Sequence, residues 1–190
     1  MFSLEEKEDE QFTSINFSQD GDVADRYERC FFSNCSFQNV ELEKVQFYEC
    51  QFEKCNLSMI QTQDMTFKFN QLSRCKILAV DWTLSKDFHE NSFKDCLLES
   101  VNFSLLKLDH MSFAGSKLHH VEFSESSLKE ANFENCDLKG SQFFQTDLRK
   151  ANFTGASNYQ IDVQNNKVNK AKFTLPEAIN LLHSLDIQLT

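Results

Sequence analysis

Residues 131–155 read ANFENCDLKGSQFFQTDLRKANFTG and divide cleanly into fives. Ala131-Asn132-Phe133-Glu134-Asn135, Cys136-Asp137-Leu138-Lys139-Gly140 and Ala151-Asn152-Phe153-Thr154-Gly155 share one pattern: a small residue, Asn or Asp, then Phe or Leu, then two polar or small positions. Working outward, every fifth residue from Phe93 through Leu98, Phe103, Leu108, Phe113, Leu118, Phe123, Leu128, Phe133, Leu138, Phe143 and Leu148 to Phe153 alternates strictly between Phe and Leu. The series fades through Asn158, Val163 and Val168 and ends on Phe173. Upstream the period holds one register earlier, from Phe12 and Phe17 through Asp22, Tyr27, Phe32, Phe37, Leu42, Phe47, Phe52, Leu57, Thr62, Phe67, Leu72 and Ile77 to Trp82. The next member is Phe88, so one residue is inserted between Thr83 and Asp87.

A period of five suits neither a helix nor a flat strand. On a helix, successive members rotate by about 140° and would point everywhere. On a strand, an odd period changes face at every repeat. The chain must therefore turn once per repeat, bringing each fifth residue back inward. The position two residues before each centre agrees: Cys30, Cys35, Val40, Val45, Cys50, Cys55, Cys75, Cys96, Val101, Val121, Ala131, Cys136, Ala151 and Ala171 are small or apolar. Residues two apart share a face of an extended segment, so both positions point inward and the other three point out. The Phe/Leu alternation asks for an even number of sides. Column composition gives four, or 20 residues per coil, with Phe93, Phe113, Phe133, Phe153 and Phe173 in one column and Leu98, Leu118 and Leu138 in another. About eight coils at strand spacing make a rod ~40 Å long.

The totals narrow the function classes. The chain has 190 residues, a net charge of −10, 20 Phe, four Gly and one Pro. Turns that elsewhere draw on Gly and Pro must be made by other residues. The acidic balance argues against direct binding to nucleic-acid phosphate and allows a basic protein surface as partner. Met1 to Glu10 is acidic and has no apolar signal-peptide core, and no apolar run reaches the ~20 residues that span a bilayer, so a cytoplasmic location with reduced thiols is expected.

On these motifs the sequence resembles the pentapeptide repeat family, over roughly residues 10–173. The resemblance implies an all-β fold, a right-handed quadrilateral β-helix. Its domain reading is an acidic N-terminal segment (1–11), a β-helix (12–173) with a register break at 83–88, and a C-terminal helix and tail (174–190). Length, a Cys- and Phe-rich N-terminal half and the apolar C-terminal end make the chain similar to the topoisomerase-protecting branch, which includes the Qnr quinolone-resistance proteins and the microcin immunity protein. That resemblance implies a dimer that mimics duplex DNA and acts on DNA gyrase or topoisomerase IV. The irregular places are few, the inserted residue and the stretch Gln19 to Asp25, and larger projecting loops are absent, which favours the microcin-immunity type.

With four sides assigned, the charge falls unevenly. The side centred on Asp22, Leu42, Thr62, Trp82, Phe103, Phe123, Phe143 and Val163 carries Glu41, Glu43, Asp64, Asp81, Glu122, Glu125 and Asp162 on outward positions, opposed only by Lys44. This acidic side is the expected partner-binding surface, with outward Phe144 a contact residue. Two readings remain open: an imitation of spaced phosphates, or a wall that keeps a solenoid soluble. A scaffold for an unrelated partner is the alternative to a topoisomerase ligand.

At the C-terminus, Thr174-Leu175-Pro176-Glu177 reads as a capping box opening a helix. Ile179, Leu181, Leu182 and Leu185 give it an apolar stripe. The stripe is expected to cover the last coil, or to do so and also pair two copies together with Ile187. No catalytic residue, metal site or cofactor is expected. All seven Cys sit at inward positions, the Cys30/Cys35 and Cys50/Cys55 spacing of five differs from that of zinc pairs, and no carboxylate set is expected around His119 and His120. Phosphate loops, nucleophile elbows and metalloprotease motifs are absent from the sequence. Asn102, Asn132, Asp137, Asp147 and Asn152, just before the centres, are expected to bond the turn backbone.

Overall fold

The computed structural model describes residues 5–19 and 22–185, the side chain of His183 excepted. The chain winds as a four-sided β-solenoid of about eight turns. Every strand pairing is parallel and joins residues 20 apart, as in Phe12↔Phe32↔Phe52, or 21 apart across the inserted residue, as in Phe67↔Phe88 and Leu72↔Phe93. The first wall stacks Glu6–Glu8, Arg26–Glu28, Gln46–Tyr48, Thr66–Lys68 and Asp87–His89, so strand pairing already begins at Glu6. The second wall stacks Gln11–Thr13, Phe31–Ser33, Gln51–Glu53, Gln71–Ser73 and Ser92–Lys94. The third includes Lys76–Leu78, Leu97–Glu99 and Lys117–His119. The fourth is held by single bridges, Glu41↔Gln61 and Asp81↔Asn102↔Glu122↔Gln142.

The turns answer the shortage of glycine. Among the described residues twenty-six that are not glycine have positive φ, nearly all at the fifth position of a repeat, where mostly Asn, Asp, Lys, Arg and Glu take the backbone that Gly115, Gly140 and Gly155 take as glycines. Side-chain bonds support many of these turns. Asn102, Asn132, Asp137, Asp147 and Asn152 each accept the N–H of the residue two further on, as expected from their placement.

Phe and Leu alternate because the bore is square and narrow. In the C-terminal half, Phe columns occupy the facing second and fourth walls, and Leu columns the first and third. Phe93, Phe113, Phe133, Phe153 and Phe173 stack at 5.5, 5.2, 4.8 and 5.0 Å, close to the strand spacing that the backbone imposes. The facing column meets them edge-on: Phe123 lies 5.7 Å from both Phe113 and Phe133 at steep angles. Offset and edge-to-face geometry are the favoured aromatic arrangements.

The inward corner position has its own chemistry. All seven thiols donate to a backbone carbonyl one coil back, as Cys55 does to Phe32 (3.3 Å) and Cys136 to Phe113 (2.9 Å). Where the corner is not Cys, Asn70, Asn91, Ser116, Ser141, Thr146 and Asn166 donate to the equivalent carbonyl. The corner accepts a small side chain and rewards a donor, which accounts for Cys there without any reactive role. Burial pushes the Cys50 and Cys136 thiols up to about 12.

One irregular place gains its geometry and two local readings are corrected. The extra residue is absorbed by a 3-10 turn, Trp82–Leu84, begun by the Asp81 carboxylate accepting from Thr83 N–H at 2.9 Å. Near the end, Asn158 does not point inward: it takes positive φ and stays exposed, and Tyr159 fills the bore in its place. Asn tolerates that backbone region, so a one-residue slip is cheap there. The C-terminal segment Glu177–Leu185 is a 3-10 helix rather than a capping-box α-helix; the Thr174 hydroxyl accepts from Gly155 N–H, tying the segment to the previous coil.

Candidate functional site

The fourth wall carries all the acidic residues singled out in the sequence: bridges through Glu41, Asp81 and Glu122 fix its register, and the Gln145 N–H donating to the Asn165 carbonyl continues it into the coil of Asp162. They divide into two kinds. Asp81 Oδ1 accepts from the Thr83 N–H and hydroxyl, Glu122 Oε1 from the Ser124 N–H (3.0 Å) and hydroxyl, and Asp162 Oδ1 from Gln164 N–H (2.8 Å). These three are half-buried turn supports as well as charges. The backbone N–H of Gln164, with Asn165 beside it, holds the Asp162 carboxyl below its ordinary value. The carboxylates of Glu41, Asp64 and Glu125 are exposed and have no hydrogen-bonding or ionic partner among the described residues, while Glu43 pairs with Lys44 at 2.7 Å. Seven carboxylates against one ammonium leave this wall at −6. Phe144 is half exposed on the same wall, and the Glu125 N–H donates to its carbonyl.

Leu84 and Leu105 also stand on this wall, 49 and 71% exposed. Sequence reasoning missed them because Leu is read as core. The usable signal was their place at the outward fifth position of the repeat.

At the C-terminal end, Leu181 packs against the core and Leu182 is half-buried, while Ile179 and Leu185 are exposed. Residues three apart eclipse on a 3-10 helix, so Ile179, Leu182 and Leu185 form one row. Ile187 and the tail lie outside the described residues.

Single carboxylates face three of the histidines: His119 Nε2 lies 2.8 Å from Asp137, His89 Nδ1 2.7 Å from Asp87 and His110 Nδ1 3.8 Å from Glu130. These are separate pairs on different coils, and no group of three or more metal-ligating side chains converges among the described residues. No helix there is long and apolar enough to cross a membrane.

Comparisons with known proteins match the repeat and the winding. A family model described as pentapeptide repeat region matches residues 86–173, and one described as pentapeptide repeats (8 copies) matches residues 28–58. No curated protein sequence matches the chain. Among solved structures, full-length QnrB1, a plasmid-mediated fluoroquinolone resistance protein, superposes with a TM-score of 0.56 at 16% identity, covering 96% of this chain and 100% of that one. HetL, a pentapeptide repeat protein involved in heterocyst differentiation regulation from the cyanobacterium Nostoc sp. strain PCC 7120, is similar with a TM-score of 0.45 at 13% identity, over 90% of this chain and 86% of that one.

Proposed function

The chain belongs to the pentapeptide repeat family, and we propose that it is a non-catalytic binding protein whose fourth wall occupies the DNA-binding surface of a bacterial type II topoisomerase, gyrase or topoisomerase IV, and shields that enzyme from a drug or toxin. The observation that carries this reading is the −6 charge gathered on one face of a rigid rod. Its carboxylates span roughly seven coils, or ~30 Å, about one per 5 Å, against one phosphate per ~3.4 Å along a DNA strand. The wall is thus a sparse imitation of one strand, suited to electrostatic steering onto a cationic groove more than to matching every phosphate contact. The resistance role of QnrB1 supports the choice of enzyme.

In this reading two rods pair end to end through the row Ile179, Leu182 and Leu185, whose outer members Ile179 and Leu185 are exposed. Sedimentation of wild type against Ile179→Asp/Leu185→Asp tests the pairing, and an unchanged mass at equal concentration refutes it. A second reading, a scaffold for an unrelated basic partner, draws on Leu84 and Leu105, which have no counterpart on a DNA backbone.

The cleanest test reverses charges that support no turn. Asp64 and Glu125 sit at the positive-φ position that Lys44, Lys54, Lys150 and Lys170 already occupy, so Asp64→Lys/Glu125→Lys should leave stability within about 0.5 kcal/mol. Binding to purified gyrase and topoisomerase IV should weaken at least tenfold at low salt. Equal binding by the folded variant would exclude mimicry by this wall, and recovery of other proteins alone from a bacterial lysate would favour the scaffold.

A further inference from the structure

Eight large apolar side chains are exposed among the described residues, and six gather on two surfaces: Leu84, Leu105 and Phe144 on the fourth wall, and Leu175, Ile179 and Leu185 at the C-terminal end. The bridge between Asp81 and Asn102 sets Leu84 and Leu105 at the same place in successive coils. Asp64 stands one coil earlier, its N–H donating to the Leu84 carbonyl at 3.1 Å, which sets it one residue off the place of Leu84 because the inserted residue shifts the register there. Glu125 takes it one coil later, next to Ser124, whose carbonyl accepts the Leu105 N–H at 3.0 Å. Along the rod axis the strip over four successive coils therefore reads acid, Leu, Leu, acid.

Leu105 is the informative member. Its φ is +64°, a region that Gly, Asn and Asp enter most easily, and its side chain is 71% exposed. A leucine here loses backbone ease and leaves most of its apolar surface in water. The same position elsewhere is filled by Asn34, Asp95 or Gly115.

We propose that Leu84 and Leu105, bracketed by Asp64 and Glu125, form a docking strip for a basic amphipathic α-helix of a partner protein, lying along the rod axis. Coil spacing puts the leucines about 5 Å apart and the two carboxylates about 14 Å apart. On a helix, residues four and seven positions beyond a cation are about 4.5 Å apart along the axis, and a second cation eleven positions on lies about 16.5 Å away on the same face. Two apolar residues between two cations at that spacing fit the column, and the flexible Lys or Arg stems close the remaining difference. Phe144, beside Glu125, extends the apolar strip at one end. The inference deepens the second reading of this wall, a basic partner seated on Leu84 and Leu105, and shares Asp64 and Glu125 with the first.

The probe is a synthetic peptide, stapled into a helix on its far face and otherwise Ala and Gln, with Leu and Lys at those positions. It is titrated by fluorescence anisotropy into the full chain, into Leu84→Ser/Leu105→Ser, and against a control peptide whose second Lys is moved to the opposite face. Saturable binding to wild type is expected, weaker by roughly tenfold or more in the double variant and for the control peptide, with unfolding of the variant unchanged. No saturable binding, or equal binding by the double variant, overturns the inference. Because no topoisomerase is present, the inference can fail while charge reversal at Asp64 and Glu125 still abolishes topoisomerase binding.

Discussion

Phe123→Ala is the sharpest perturbation of the fold that carries the wall. The Phe123 ring is fully buried and touches four others: Phe103 and Phe143 stacked at 5.5 and 5.2 Å, and Phe113 and Phe133 edge-on at 5.7 Å each. Truncation leaves a cavity that parallel coils, tied above and below by backbone bonds, cannot collapse. Large-to-small core changes of this kind cost about 3–5 kcal/mol, and for a chain of this size each kcal/mol lowers Tm by about 2–4 °C. The expected loss is therefore about 6–20 °C, read by far-UV circular dichroism on heating and by urea titration. Phe123→Leu should cost roughly 1–2 kcal/mol, since Leu98, Leu118 and Leu138 fill the neighbouring third wall. A loss below about 1 kcal/mol for Ala would refute the argument that the aromatic columns form one coupled core. A transition split in two would show instead that the coils on either side fold independently.

Two further outcomes test individual side chains. Cys136→Ser should stay within about 1 kcal/mol of wild type because a hydroxyl can replace the thiol bond to the Phe113 carbonyl, whereas Cys136→Leu should overpack the corner by about 1–3 kcal/mol in urea unfolding. The Arg149 guanidinium, bonded to Asp147 at 2.7 and 2.8 Å, holds that carboxyl below its ordinary value. Its contribution, roughly 1 kcal/mol or less, is complete above the unfolded carboxyl value near ~4 and is lost as pH falls through the lower folded value. Asp147→Asn should therefore reduce stability at pH 7 and flatten its decline below pH ~4.

The winding was legible because one short signal repeats so often. A single Phe would say little, but thirteen members from Phe93 to Phe153 leave no other geometry. The same count located the inserted residue before Phe88, and the face assigned to Glu41, Glu122 and Asp162 follows from it. Legibility failed where the period weakens. At Asn158 the backbone prefers positive φ, and Tyr159 enters the bore instead. At Thr174 a local capping pattern lost to a bond with Gly155, a contact made one coil away. The thiol bonds to carbonyls 23 or 24 residues back, such as Cys75 to Phe52 and Cys96 to Leu72, were likewise invisible without the coil geometry. Leu84 and Leu105 are hidden in the sequence because leucine suggests core, whereas their fifth position in the repeat faces outward.

The measurement closest to the central claim is supercoiling by purified gyrase, with and without a fluoroquinolone, across a titration of the wild-type protein and of Asp64→Lys/Glu125→Lys. The wild type is expected to rescue drug-inhibited supercoiling at low protein, and the folded double variant only at concentrations at least tenfold higher. No effect of the wild type at any concentration, or equal rescue by the variant, would contradict that claim.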